Sequence, residues 1–355
     1  MILVVAPGRK TRGGITSVVK AYSSTAFWNQ LNCKWIESYI DRNKFYKIYF
    51  FLKGFLHYII LLPFASIVHI HLSEPISALR KTFFFIPALL IKKKIILHFH
   101  SFSPEITYLG KYKRVYKFLF SKCDALIVLS ASCKKNIIEL LHIDNLKINV
   151  LYNPCPEITP STDTLISSKY ILFIGILTKR KGYHDLINAF QKISFIYPEW
   201  KLVLAGNGEI EEAKKLAHKL SISDKVSCLD WITDSEKDNV FRNASIFCLP
   251  SYVEGFPMAI MDAIAYGLPV ITTPVGGIPD VFSNMKNAVF IEPGNIEEIS
   301  DALLLLIKSE KLAEQLKTES LYLKENLFNL IKITQKLNLI YSHCLKSKKH
   351  AYVTV

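Results

Sequence analysis

Short runs that are apolar at every position recur along the chain, separated by longer stretches whose apolar residues return every three or four positions. Runs of the first kind suit strands covered on both faces of a parallel sheet, and stretches of the second suit amphipathic helices. In the first half the predicted strands are Ile2–Val5, Ile67–His71, Ile95–Phe99, Ala125–Leu129 and Ile148–Leu151, with helices expected over Ile76–Ile91 and Ser132–Leu141. Pro, Ser and Thr accumulate at Asn153–Thr162, where a linker is expected. The rhythm restarts with Tyr170–Ile174, Leu202–Ala205, Val226–Leu229, Ile246–Leu249, Val270–Thr272 and Val289–Ile291. From Glu297 onward the pattern is helical, and it ends in a basic tail with Lys346, Lys348 and Lys349.

This alternation predicts an α/β protein of two Rossmann-like, doubly wound domains facing across a cleft, with a C-terminal helical extension. The expected boundaries are 1–160, 169–325 and 326–355, the last segment packing back on the N-terminal domain. In such folds a ligand sits outside the carboxyl ends of the strands, so residues that carry chemistry should follow strands.

Composition sharpens this picture. The length of 355 residues suits two domains, and a hydrophobic share of 50% excludes disorder. The net charge of +14 is unevenly placed: residues 1–160 hold 22 basic and 8 acidic side chains, whereas 161–355 hold 22 of each. The seven cysteines form no C-x-x-C pair, which argues against a disulfide framework or a zinc site and suits a reducing compartment. Met1–Ala6 reads as a buried first strand rather than a signal peptide. The best candidate for a membrane span, Phe55–Val68, is 14 residues long and interrupted by His57 and Pro63, too short to cross a bilayer. A cytoplasmic protein is expected.

Candidate chemistry follows the strands. Gly13-Gly14 after the first strand opens a helical segment, where a backbone can approach a phosphate, although a plain strand-to-helix turn reads the same way. It is not G-x-G-x-x-G, so a nicotinamide enzyme is disfavoured. His98 and His100 fall on one face of a strand, with His100 nearer the ligand end, and His69 and His71 end the preceding strand. No carboxylate lies in register with these histidines, and no metal site is expected. Gly175 through Gly182 form a glycine-bounded loop carrying Lys179, Arg180 and Lys181, suited to a diphosphate, although taken alone it reads more readily as a solvated basic turn.

The segment Pro250-Ser251-Tyr252-Val253-Glu254-Gly255-Phe256-Pro257-Met258 places Glu254 just before a helix start at Pro257. Asp262 follows within that helix, its carboxylate expected to be free to accept from a sugar diol. Two acceptors flanking a helix-bound phosphate describe a nucleotide-sugar site.

With its G-x6-G loop and basic pair, Ala205-Gly206-Asn207-Gly208, the Glu254–Asp262 segment and Gly276-Gly277-Ile278-Pro279-Asp280, the chain resembles the retaining GT-B glycosyltransferases of group 1, or family four. The resemblance implies catalytic roles for His100 and Glu254. It implies donor binding by Gly13, Gly14, Gly175, Arg180, Lys181, Trp231, Ile232, Phe256, Pro257, Met258 and Asp262. Arg180 and Lys181 would hold the diphosphate, Trp231-Ile232 would seat the base, and Asp262 stands where the family has Glu against ribose. Ile176 stands where the family often has arginine, a role that falls to Arg180.

The resemblance further implies metal-independent transfer of a hexose, with no cofactor, from a nucleotide-diphosphate sugar to a saccharide acceptor. A lipid-linked acceptor would place the reaction in bacterial surface-polysaccharide assembly (O-antigen, capsule or exopolysaccharide). The basic, aromatic first half suits docking on an anionic membrane at the inner face of the plasma membrane, or is a merely basic surface. The rival readings are a GT-B nucleotide-sugar epimerase or glycan phosphorylase. A nucleic-acid-binding protein is disfavoured because no such motif is present.

Overall fold

The computed structural model describes residues 1–101, 103–158 and 168–346. The latter part of the expected linker, from Thr159, and the tail lysines Lys348 and Lys349 lie outside them. The chain divides into two compact units: Met1–Pro154 together with the residues from Leu330 on, and Cys155–Asn329.

The first unit is a parallel sheet of β1 (Ile2–Ala6), β2 (Cys33–Glu37), β3 (Ile67–Leu72), β4 (Lys94–Phe99), β5 (Ala125–Val128) and β6 (Ile148–Val150), in the order β2-β1-β3-β4-β5-β6. Every residue of β1, β3 and β5 is buried, as strands covered on both faces require. The apolar pattern did not reveal β2, because Lys34 and Glu37 interrupt it; it is an edge strand, and Lys34 faces water.

One helix on this unit departs from the sequence reading. The apolar stretch expected at Phe55–Val68 is two elements. Its first part closes a helix, Lys44–Leu61, capped by the Asn43 side chain accepting from the Tyr46 amide at 3.1 Å. Its last residues, Ile67 and Val68, open β3. With the 3-10 turn Leu62–Phe64, the helical stretch Lys44–Phe64 is 21 residues long with a mean hydropathy of 1.4, long and apolar enough to cross a membrane by those measures alone. The C-terminal helix Leu330–Lys346 belongs to this unit, where its Tyr341 hydroxyl lies 2.7 Å from Nδ1 of His69.

The second unit repeats the plan with β7 (Tyr170–Ile174), β8 (Lys201–Ala205), β9 (Val226–Leu229), β10 (Ile246–Leu249), β11 (Val270–Thr272) and β12 (Val289–Phe290), ordered β12-β11-β10-β7-β8-β9 and parallel throughout. From β7 the chain moves outward through β8 and β9, then returns to build β10 on the other side. Strands β7 and β10 therefore flank a topological switch point, where their following loops diverge and leave a crevice. In the first unit the equivalent switch lies between β1 and β3.

Candidate active site

At the switch point of the second unit the loops after β7 and β10 are fastened together residue by residue. Gly182 ends the basic 3-10 turn Lys179–Lys181 with φ 74°, and a Cβ there would stand 2.0 Å from the carbonyl oxygen of Pro250. Only glycine permits this approach. One step further along, the Tyr252 amide donates to the Arg180 carbonyl at 2.8 Å, and Nη1 of Arg180 donates to the Val253 carbonyl at 2.8 Å. Lys181 Nζ then lies 2.5 Å from Oε1 of Glu254, both side chains being largely buried. The loop after β11 closes underneath: the Gly277 amide donates to the Gly255 carbonyl at 2.8 Å, and a Cβ on Gly276 (φ 62°) would lie 2.0 Å from the Glu254 carbonyl.

Beyond Glu254 the helix Met258–Ala265 begins with Pro257 at its N-cap, one residue before the first turn, and no side chain caps it. Its first amides and the positive end of its dipole are thus turned toward the loop carrying Glu254. On the outer side of the basic turn, a cavity of about 620 Å³ is lined by Lys179, Arg180, His184, Asp185 and Tyr252. There the Tyr252 hydroxyl donates to Oδ2 of Asp185 at 3.0 Å. Sequence reasoning assigned no role to Asp185 or Tyr252; their signal was only closeness to Arg180 and Glu254.

Both expected acceptors differ from the sequence reading in one respect: neither carboxylate is unpaired. Glu254 is 5% exposed and engaged by Lys181. Asp262 is also 5% exposed, and its Oδ2 lies 2.6 Å from Nζ of Lys237, on the helix Asp234–Asn243. A carboxylate turned into the protein from mid-helix is costly unless a cation meets it. Burial raises the Asp262 pKa, with Lys237 opposing the shift.

The remaining predicted residues of this unit lie around the same sheet edge. Gly175 follows β7 and its amide donates to the Ala205 carbonyl at 3.0 Å. Phe256 is buried and stacks near Phe328, with ring centroids 5.6 Å apart. Trp231 and Ile232 follow β9, the edge strand beyond β8, with Trp231 42% exposed.

In the first unit Gly13 is the N-cap of the helix Gly14–Ser23 after β1, again without a side-chain cap. His100 follows β4. Because β3 and β4 run parallel with His71 opposite His98, all four histidines share one face of the sheet. Ring centroids are 4.2 Å apart for His98 and His100 and 4.4 Å for His69 and His71, and Nδ1 of His71 meets Nε2 of His100 at 2.8 Å. Burial drives the pKa of His69 and His100 down to about 3 and those of His71 and His98 well below the usual value, so all four are neutral imidazoles near pH 7. His69, His71 and His98 each offer a ring nitrogen within 4.8 Å of the others, a grouping that sequence spacing had argued against as a metal site.

Part of the chain that carries this arrangement resembles known proteins. Residues 161–320 match the family described as Glycosyl transferases group 1. An uncharacterized glycosyltransferase of Haemophilus influenzae is 31% identical over 220 residues, covering 61% of this chain and 60% of that protein. The capsular polysaccharide biosynthesis glycosyltransferase CapM of Staphylococcus aureus is 26% identical over 212 residues, 59% of this chain and 53% of that one. The chain spans about half the length of the curated relatives it matches. Anabaena HepE, solved in complex with UDP and glucose, superposes with a TM-score of 0.76 at 16% identity, covering 96% of this chain and 99% of that one. That likeness shows the fold: an α/β protein of GT-B architecture.

Proposed function

We propose that the protein is a glycosyltransferase that moves a hexose from a nucleotide-diphosphate sugar to a saccharide acceptor carried on a lipid, in the assembly of a bacterial surface polysaccharide. The observation that carries this reading is the clasp at the β7/β10 switch point. There Arg180, Lys181 and the uncapped start of the helix Met258–Ala265 gather positive charge around one buried carboxylate, Glu254. The match of residues 161–320 to the group 1 family supports it, as do the UDP and glucose in the HepE complex and the capsular role in the name of CapM.

In this reading the bond from the sugar C1 to the β-phosphate oxygen breaks, and the nucleotide diphosphate leaves with a growing negative charge. Arg180 supplies a forked donor and Lys181 a point charge for that group, and the helix amides add a fixed dipole; this preorganised field needs no metal ion. Glu254 holds the Lys181 ammonium in place and faces the transferred hexose. The acceptor hydroxyl forms the new C1–O bond on the face the phosphate leaves, passing its proton to the departing phosphate oxygen, so the anomeric configuration is retained. His100, neutral and hydrogen-bonded to His71, orients the sugar rather than acting as a base.

The reading is tested in two stages. UDP, GDP and their hexose conjugates are screened for a rise in melting temperature, because a ligand of the folded state stabilises it by mass action. The stabilising donor is then incubated with lipid-linked saccharides, and nucleotide diphosphate release is followed. Transfer is expected to fall by at least about a hundredfold in Glu254→Ala. Near-wild-type turnover by that variant, purified and folded, would sink the assignment.

A further inference from the structure

The helix Lys44–Leu61 carries an apolar face that the first unit does not cover. Its inner side is fixed: Gly54 and Tyr58 are buried, a Cβ on Gly54 would lie 1.9 Å from the Glu37 carbonyl of β2, and the Tyr58 hydroxyl donates to the Phe84 carbonyl at 2.5 Å. Phe51 and Phe55 meet Phe84 edge-on, with ring centroids 5.8 and 5.6 Å away. On the opposite side Phe45, Ile48, Tyr49, Leu52, Leu56 and Ile60 are exposed. At 100° per residue they fill an arc of about 120°, too broad and too bulky for ordinary surface scatter.

The neighbouring helix Pro75–Leu90 extends the patch. Ile76, Leu79, Phe83, Ile86 and Leu90, spaced three and four apart, are all exposed, and Phe83 meets Phe51 edge-on at 5.6 Å. The charge around the patch is one-sided. Residues 42–94 contain nine basic side chains and a single acidic one, Glu74. Arg42, Lys44, Lys53 and Lys92 are exposed.

We propose that these two helices form a docking surface for an anionic lipid bilayer, lying in the plane of the interface with the aromatic and aliphatic stripe buried among the acyl chains and the lysines among the headgroups. Charge complementarity selects the occupant: an apolar face rimmed by cations and nearly devoid of acids meets anionic lipid favourably, whereas a second copy of the same face would bring like charges together. The helix lies in the plane rather than across it, although it is long enough to span. Crossing would strip Gly54 and Tyr58 from β2 and Phe84 and empty one side of the unit's core.

The inference goes beyond the transfer reaction and does not need it, since its assay contains no sugar donor. Purified full-length protein is floated with vesicles of phosphatidylglycerol and phosphatidylcholine, and separately with phosphatidylcholine alone, at low and high sodium chloride. Flotation with the anionic vesicles at low salt is expected, at least about tenfold above the neutral ones. It should be lost in Phe45→Ser/Leu52→Ser/Leu56→Ser and weakened in Lys44→Gln/Lys53→Gln, with circular dichroism melts confirming that both variants fold. Bound protein is expected to come off in alkaline carbonate; retention there would overturn the in-plane geometry. Absence of flotation with anionic vesicles, or unchanged flotation of the serine variant, would overturn the proposal. So would a wild-type dimer in sedimentation that the serine variant abolishes, because the face would then belong to a second copy.

Discussion

Lys181 and Glu254 come from loops 73 positions apart in sequence and meet at 2.5 Å, each with little access to water. The pair is a structural joint as well as a candidate catalytic one, and its two roles separate by substitution. Removing one partner leaves the other as an uncompensated buried charge. Lys181→Ala is therefore expected to destabilise the second unit by roughly 3–5 kcal/mol. The double variant Lys181→Met/Glu254→Gln should recover most of that stability in urea unfolding while remaining inactive in sugar transfer. If the double variant regains activity along with stability, the pair is a joint only.

Gly182 sets the spacing of the same clasp. Alanine there would need a left-handed backbone and would drive its Cβ into the Pro250 carbonyl. The expected cost in Gly182→Ala exceeds about 2 kcal/mol. The loop after β7 should also shift from the loop after β10, so that nucleotide diphosphate no longer raises the melting temperature. Unaltered stability and an unaltered nucleotide response would show that the two loops give way easily.

The sheets, and the loops that bear the candidate residues, were legible because a parallel strand buried on both faces leaves an uninterrupted apolar run. Tyr170–Ile174 and Ile246–Leu249 coincide with β7 and β10 for that reason, and Arg180, Lys181 and Glu254 fall in the loops that follow them. What was not legible depended on partners distant in sequence. Asp262 looked unpaired because Lys237 reaches it from another helix, and no local pattern announces that pairing. The helix Lys44–Leu61 was misjudged because Lys44, Lys47 and Lys53 break its hydropathy, while Ile67 and Val68 beyond it are apolar for a different reason, their place in β3. The alternation of His69 and His71 with His98 and His100 did announce shared faces, but not that the two strands bring all four rings into one stack.

That stack makes the first unit sensitive to acid. In the unfolded chain these imidazoles titrate near 6.5, whereas in the folded protein burial holds His69 and His100 at about 3 and the other two well below 6.5. Between those values the unfolded chain takes up protons that the folded chain refuses. The stabilisation is thus complete above pH 6.5 and is lost as the pH falls toward 3. Chemical unfolding followed through Trp28 and Trp35, both in this unit, should show this slope. The slope should become shallower by about one proton in His98→Gln. An unchanged slope would mean that His98 is protonated in the folded state.

The Asp262–Lys237 pair carries a pH dependence of the opposite sign. Burial raises the Asp262 pKa above its ordinary 3.8, so the folded state favours the protonated acid. For a group shifted in this direction, the contribution to stability is fully present below the unfolded value and is lost as the pH rises through the folded one. Lys237 offsets that loss at neutral pH by meeting the carboxylate at 2.6 Å. In Lys237→Met the offset disappears and the Asp262 pKa climbs further. The variant is expected to be less stable than wild type by about 3 kcal/mol at pH 7, with the gap closing as the pH falls from 7 toward about 4. Adding Asp262→Asn to Lys237→Met removes the titrating group, so the double variant should lack the gain in stability on acidification that Asp262 gives Lys237→Met. A gap in Lys237→Met that is as wide at pH 4 as at pH 7 would show that Lys237 acts through something other than its charge on Asp262.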